Sequence, residues 1–177
     1  MQSKCLKYGN DISTDLIIPG KYTKTLVIQE LADHAMEDLD VSFKEKVAAG
    51  STIVVAGTYF GCGSSREQAP VALKAAGVEL IAAKTFSRIF FRNAVNVGLP
   101  IVECDTDRIG EGDELSYTVG SDVLKNLTTG EELSVIPLPP IMVEIAKVVS
   151  AGMKTIVTPL MMPGSVRGRV TRQKVCN

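Results

Sequence analysis

The sequence predicts an α/β fold, with a mostly parallel sheet, crossover helices and a β-rich C-terminal part. Two observations carry this. Between residues 51 and 104, short β-branched apolar runs alternate with longer runs of helical period, the order that builds parallel strands with helical crossovers. After Asp105 the texture changes to short strand-like runs separated by glycine turns. A length of 177 residues suits one domain. A chain of that size buries roughly 70% of its unfolded surface and needs no disulfide or metal to fold.

Residues 4–9 (KCLKYG) read as a short strand. Residues 10–25 (NDISTDLIIPGKYTKT) read as a polar loop interrupted by an apolar triplet and closed by Pro19-Gly20. Residues 27–39 place Val27, Leu31, Ala35 and Leu39 on one helical face, with His34 on the solvated side. STIVVAG (51–57) is a buried strand. Residues 66–77 are a helix closed by Gly77, and VELIAA (78–83) is the next strand. Residues 87–98 and IVEC (101–104) repeat that plan. Residues 113–120, 122–130 and 131–138 form an antiparallel meander. Residues 139–152 are a helix with proline at its start and glycine after its end. We divide the chain into a domain at 1–150 and a C-terminal extension at 151–177, whose end is basic.

Composition excludes several classes. Hydrophobic residues are 45% and charged residues 22%, ordinary for a globular protein. The net charge of −1 gives no electrostatic case for nucleic acid or an anionic membrane. No run reaches the roughly 20 apolar residues of a membrane span, and the N-terminus lacks the apolar core of a signal peptide. A cytoplasmic location is the expectation. The cysteines, Cys5, Cys62, Cys104 and Cys176, include no CxxC pair, and His34 is the one histidine. No self-contained metal site is expected from such spacing.

The richest stretch is GTYFGCGSSREQAP (57–70). Strand, glycine-rich loop, helix is where α/β proteins place ligands. Pro70 is comfortable only in a first helical turn, so regular helix starts near Glu67 or Gln68. Ser64, Ser65 and Arg66 then lie in the turn before it. Backbone amides there favour an anion, and Arg66 can bind a carboxylate or phosphate bidentately. Ser65-x-x-Gln68 fits a capping box. The stretch is neither a Walker A loop nor a dinucleotide fingerprint nor a G-x-S-x-G elbow. A capped tight turn and an anion-binding catalytic loop both remain open on the residues alone. A Cys62-based hydrolase or redox protein is a third, weaker alternative.

Residues 61–102 (GCGSSREQAPVALKAAGVELIAAKTFSRIFFRNAVNVGLPIV) resemble the swivelling domain of the aconitase superfamily, a β/β/α domain. Within it they resemble the free-standing small subunits of the 3-isopropylmalate dehydratase (isopropylmalate isomerase) family. DISTDLIIPGKY (11–22) is similar to that family's other signature. The resemblance spans residues 5 to about 146. It implies a hydro-lyase that dehydrates and rehydrates a 2-hydroxy di- or tricarboxylate, in leucine biosynthesis. It also implies a [4Fe-4S] cluster in a partner large subunit, with this chain supplying half of an interface site.

On that resemblance Ser64 is the base that removes the proton from carbon. Ser65 and Arg66 hold a substrate carboxylate. Asp15 supports the site by hydrogen bonding, with Thr14 helping to position it. Serine can serve as a base only where its alkoxide is stabilised by aimed donors. Cys62 shapes the loop without doing chemistry. Residues 22–26 (YTKTL) reach the variable part of the substrate, so Tyr22, Lys24 and Thr25 are substrate-binding candidates. Lys24 favours an extra carboxylate, while Thr23, Thr25, Leu26 and Val27 can line a small apolar pocket. Isopropylmalate ranks first, ahead of homoaconitate-type and dimethylmalate-type substrates. A non-catalytic anion-binding module is the alternative of another class. Many relatives carry histidine where Gln68 stands, and the ending after Ile145 differs from the isopropylmalate pattern.

Overall fold

The computed structural model describes residues 1–136 and 143–144. Its strands are β1 (Gln2–Lys7), β2 (Ile53–Ala56), β3 (Leu80–Ala83), β4 (Ile101–Cys104), β5 (Glu114–Tyr117), β6 (Val123–Asn126) and β7 (Glu132–Ile136). They close into a barrel in the order β1-β2-β3-β4-β7-β6-β5. The pairings among β1 to β4 are parallel, with Leu6 opposite Val54, Val54 opposite Ile81, and Ile81 opposite Ile101. The pairings β4–β7, β7–β6, β6–β5 and β5–β1 are antiparallel. The expected mostly parallel sheet is therefore corrected to a mixed, closed one. The meander does not form a separate appendage. It bends round and pairs at both ends with the parallel strands, which leaves no open sheet edge in the barrel.

Burial explains why the parallel strands read as continuous apolar runs. In β2, Ile53 and Val55 point into the barrel while Val54 and Ala56 pack under the helices. All four residues of β2 and of β3 are buried. The covering helices are α1 (Thr14–Ile17), α2 (Ile28–Asp33), α3 (Phe43–Ala48), α4 (Gln68–Ala76) and α5 (Arg88–Asn96). α1 to α3 lie in the crossover from β1 to β2, α4 in that from β2 to β3, and α5 in that from β3 to β4. α4 ends on Gly77 at φ +107°, a left-handed cap that favours glycine.

The connection from β1 to β2 departs furthest from expectation. The helix expected over 27–39 stops at Asp33. Leu31 and Ala35 are buried as the periodicity required, but Val27 and Leu39 are exposed. The cause is tertiary. Met36 is fully buried in the left-handed region at φ +61°, and its amide leaves the helical ladder to donate to Ile17 O at 2.8 Å. The stretch expected as loop, 10–25, contains α1, a 3-10 turn at Gly20–Tyr22, and the fully buried Ile17 and Ile18. α3 was not expected; it buries Phe43 and Val47. The helix expected at 139–152 lies outside the described residues except for Val143 and Glu144, which are helical. The extension at 151–177 lies outside them entirely.

Candidate active site

The two signature stretches lie beside each other, at the C-terminal ends of the parallel strands β1 and β2, where α/β folds place ligands. A zipper of backbone hydrogen bonds joins them. Asp11 N donates to Thr58 O at 2.9 Å, Gly61 N to Ile12 O at 2.8 Å, and Thr14 N to Cys62 O at 2.8 Å. Ser13 and Cys62 form a parallel bridge. Ser13 also caps α1, its hydroxyl accepting from Leu16 N at 3.3 Å.

Gly61 makes this approach possible. Its φ is +76°, and a Cβ there would lie 2.2 Å from Phe90 Cγ. Phe90 belongs to a buried aromatic group with Phe60, whose ring centroid is 5.2 Å away in an edge-to-face arrangement. Gly63, at φ +90°, turns the chain over Thr14 and Asp15.

Beyond Gly63 the backbone is held and the side chains are not. Ser64 O accepts from Thr14 Oγ1 at 2.9 Å and from Arg66 N at 2.8 Å. Thr14 is itself almost fully buried. Ser64 and Ser65 are exposed, and neither hydroxyl is hydrogen-bonded among the described residues. The amides of Gly63, Ser64 and Ser65 likewise donate to no acceptor among them. Successive unpaired amides in a tight turn make an anion-binding concavity.

Arg66 sits beside this turn. Its Nη1 donates to Ile18 O at 2.8 Å and its Nη2 pairs with Asp15 Oδ1 at 2.5 Å. Its side chain is 17% exposed against 59% for Asp15, so the carboxylate steers a largely covered guanidinium. These two bonds use part of the guanidinium fork, and its other N–H donors have no partner among the described residues.

The second loop, residues 20–25, runs alongside. A Cβ on Gly20 would lie 3.4 Å from Arg66 Nη2. Tyr22 stacks on His34 with ring centroids 3.7 Å apart, and Lys21 Nζ lies 4.7 Å from the Tyr22 centroid. Lys21 and His34 both reach Glu37, and these contacts hold its carboxyl below the usual range against the opposing effect of burial. Lys24 is exposed. Thr25 Oγ1 donates to Glu30 Oε2 at 2.5 Å and accepts from Val27 N at 3.1 Å, bracing the start of α2. Leu26 stands 97% exposed, followed by the exposed Val27 and Ile28.

Two sequence readings are corrected. The capping box at Ser65 and Gln68 does not form. The cap of α4 is Glu67, with no side-chain bond, and Gln68 Nε2 donates to Thr23 O at 3.0 Å instead. His34 is not a plain surface residue, since the Tyr22 ring covers one face. No local pattern signalled either contact, because each joins residues that are distant in the chain.

The Cys62 thiol is pushed up by burial and then by the Asp11 carboxylate, so it stays protonated at neutral pH, which disfavours a thiolate nucleophile. Among the described residues no group of three His, Cys, Asp or Glu converges as a metal site, and no helix is long and apolar enough to cross a membrane. Cys5 and Cys104 are buried inside the barrel. The described residues therefore do not fit an iron–sulfur cluster.

The closed mixed barrel thus carries an exposed, glycine-rich turn at the C-terminal ends of its parallel strands β1 and β2, beside Arg66. The aconitase C-terminal domain profile matches residues 11–106. The 3-isopropylmalate dehydratase small subunit of Caldanaerobacter subterraneus subsp. tengcongensis is 51% identical over 149 residues, covering 83% of this chain and 92% of the relative. That of Moorella thermoacetica is 52% identical over 147 residues, covering 82% and 88%. The crystal structure of 3-isopropylmalate dehydratase from Methanocaldococcus jannaschii matches with a TM-score of 0.78 at 36% identity, covering 88% of this chain and 95% of that one. The chain belongs to the aconitase C-terminal domain family.

Proposed function

We propose that the chain acts as the small subunit of a 3-isopropylmalate dehydratase, a hydro-lyase of leucine biosynthesis in the cytoplasm. The observation that carries this is the turn at 63–65. Its backbone is pinned at Ser64 O from two sides, while residues 63–65 are exposed and their amides and both serine hydroxyls have no hydrogen-bond partner among the described residues. Such a turn can hold a carboxylate and stabilise a serine alkoxide in one place.

In this reading Arg66 and Ser65 bind a substrate carboxylate, and Asp15 fixes the guanidinium's orientation. Ser64 Oγ, as alkoxide, takes the proton from the carbon next to a carboxylate and becomes a hydroxyl. The C–H electron pair forms the double bond as hydroxide leaves the neighbouring carbon with the C–O electron pair. In the return step hydroxide adds to the carbon that lost the proton, and the Ser64 hydroxyl gives its proton to the carbon that lost the hydroxyl, which regenerates the alkoxide. The [4Fe-4S] cluster of the family is expected in a large subunit, which closes the exposed side of the site. Tyr22, Lys24 and Thr25 lie on the loop expected to meet the variable part of the substrate. The exposed Leu26, Val27 and Ile28 favour a branched apolar group over an added carboxylate.

The test is reconstitution. The chain is mixed with a cluster-loaded large subunit, and alkene absorbance is followed with isopropylmalate, homoaconitate-type and dimethylmalate-type substrates. Turnover in the mixture alone, fastest with isopropylmalate, is the expected result. Tight carboxylate binding by the isolated chain, with no turnover in any mixture, would replace the enzyme with a binding module.

A further inference from the structure

We propose that Gln68 is a positioning residue, which together with Arg66 fixes the loop at residues 20–25 relative to the carboxylate-binding turn and so sets how well substrate fits. The inference rests on the reading above and deepens it.

Two side chains from one strand-to-helix turn reach the same loop. Arg66 Nη1 holds Ile18 O at the loop's start. Gln68 Nε2 holds Thr23 O beyond its bend, across 45 residues of chain. Only the amide nitrogen of glutamine can face a carbonyl, so the orientation is set by chemistry. Between these anchors the loop's own backbone bonds are local: Tyr22 N to Pro19 O, Thr23 N to Gly20 O and Thr25 N to Tyr22 O. Among the described residues, no backbone–backbone bond ties residues 19–25 to another element. The Gln68 bond is thus the long-range hydrogen bond that tethers the loop's backbone past its bend, and Gly20 passes beside Arg66, where a Cβ would lie in ordinary contact with Nη2. The Tyr22–His34 stack follows from that placement, because Tyr22 sits one residue before the tethered carbonyl. Gln68 touches no substrate in this scheme. It acts through the loop.

Three variants and two readouts test this. In the reconstituted complex, Gln68→Ala is expected to raise KM for isopropylmalate about 2- to 10-fold, the range one lost neutral hydrogen bond spans. Because Ser64 and Arg66 are not moved, kcat should stay within about twofold. Gln68→Glu, which offers only acceptors to Thr23 O, should raise KM further. Gln68→His keeps an N–H donor and should restore KM. The second readout needs no activity. His34 is the one histidine, so its ring proton signals are identified directly, and the Tyr22 ring current displaces them. Gln68→Ala and Gln68→Glu in the full chain should move them toward the values of an unstacked histidine. Unchanged His34 signals in both variants, or unchanged KM in both, would overturn the proposal. Ser64→Ala run in parallel separates the two ideas. If it keeps full turnover the functional reading fails, while the His34 signals still decide the tether.

Discussion

The two halves of the barrel are built on opposite burial rules. In the parallel half, β2 and β3 are buried on both faces, one by the barrel interior and the other by helices. In the antiparallel half, β6 and β7 alternate buried and non-buried residues, and no described helix covers their outer face. Parallel strands need crossover connections, and those connections become both the cover and the loops that carry chemistry. Antiparallel strands need only tight turns, which leave nothing to build a site from. The two halves therefore divide the work: β5 to β7 complete the barrel, and the connections after β1 and β2 carry Asp15, Ser64 and Arg66, the residues of the proposed site.

The comparison predicts graded outcomes. Gly61→Ala should be the most damaging change of backbone, because it places a Cβ against Phe90 at positive φ. A loss of roughly 2–4 kcal/mol in chemical denaturation is expected from strain and overpacking together. A smaller loss would mean that the zipper between the two signature stretches has slack.

Thr14→Val removes the hydroxyl that holds Ser64 O without changing the side chain's size. It should lower kcat of the reconstituted enzyme about fivefold, equivalent to about 1 kcal/mol. Thermal stability should fall only modestly, since Arg66 N still serves that carbonyl.

The barrel interior has its own signature in pH. Burial pushes the Cys5 and Cys104 thiols up to about 11. In the unfolded chain they ionise near the usual thiol value of 9.0. A folded-state pKa above the unfolded one adds stability below the lower value and loses it as pH rises through the higher one. Denaturation midpoints should therefore decline between about pH 9 and about pH 11, and Cys5→Ala with Cys104→Ala should flatten that decline.

At the small end stands Lys125→Ala, at an exposed position on β6. Its pair with Glu132 is 57% and 59% exposed. The change should alter stability by less than about 0.5 kcal/mol and leave turnover untouched. An effect on activity there would break the division between the two halves.

Much of this division was legible in the sequence. STIVVAG read as a buried strand and VELIAA as the next one, and the glycine-separated runs after Asp105 read as an antiparallel meander. Pro70 correctly confined regular helix to Gln68 onward. Closure was not legible, because the β1–β5 and β4–β7 pairings join segments with no local signal for each other. Residues 27–39 misled for a related reason. Their periodicity was real, yet burying Met36 against the Ile17 carbonyl outweighed helix propensity. At the site, the residue types and their order were readable, but the geometry was not. Ser65 and Gln68 matched a cap by spacing, while Gln68 found Thr23, far away in sequence and near in space.

Proton removal from carbon by Ser64, as proposed, is open to a solvent isotope-exchange experiment. The reconstituted complex is incubated with isopropylmalate in deuterium oxide, and label at the reacting carbon is followed by NMR for wild type and Ser64→Ala. Ser64→Ala is expected to fold and assemble normally, since its side chain is exposed and its hydroxyl has no partner among the described residues, yet to exchange about 10²- to 10⁴-fold more slowly. Exchange at the wild-type rate in Ser64→Ala would contradict it.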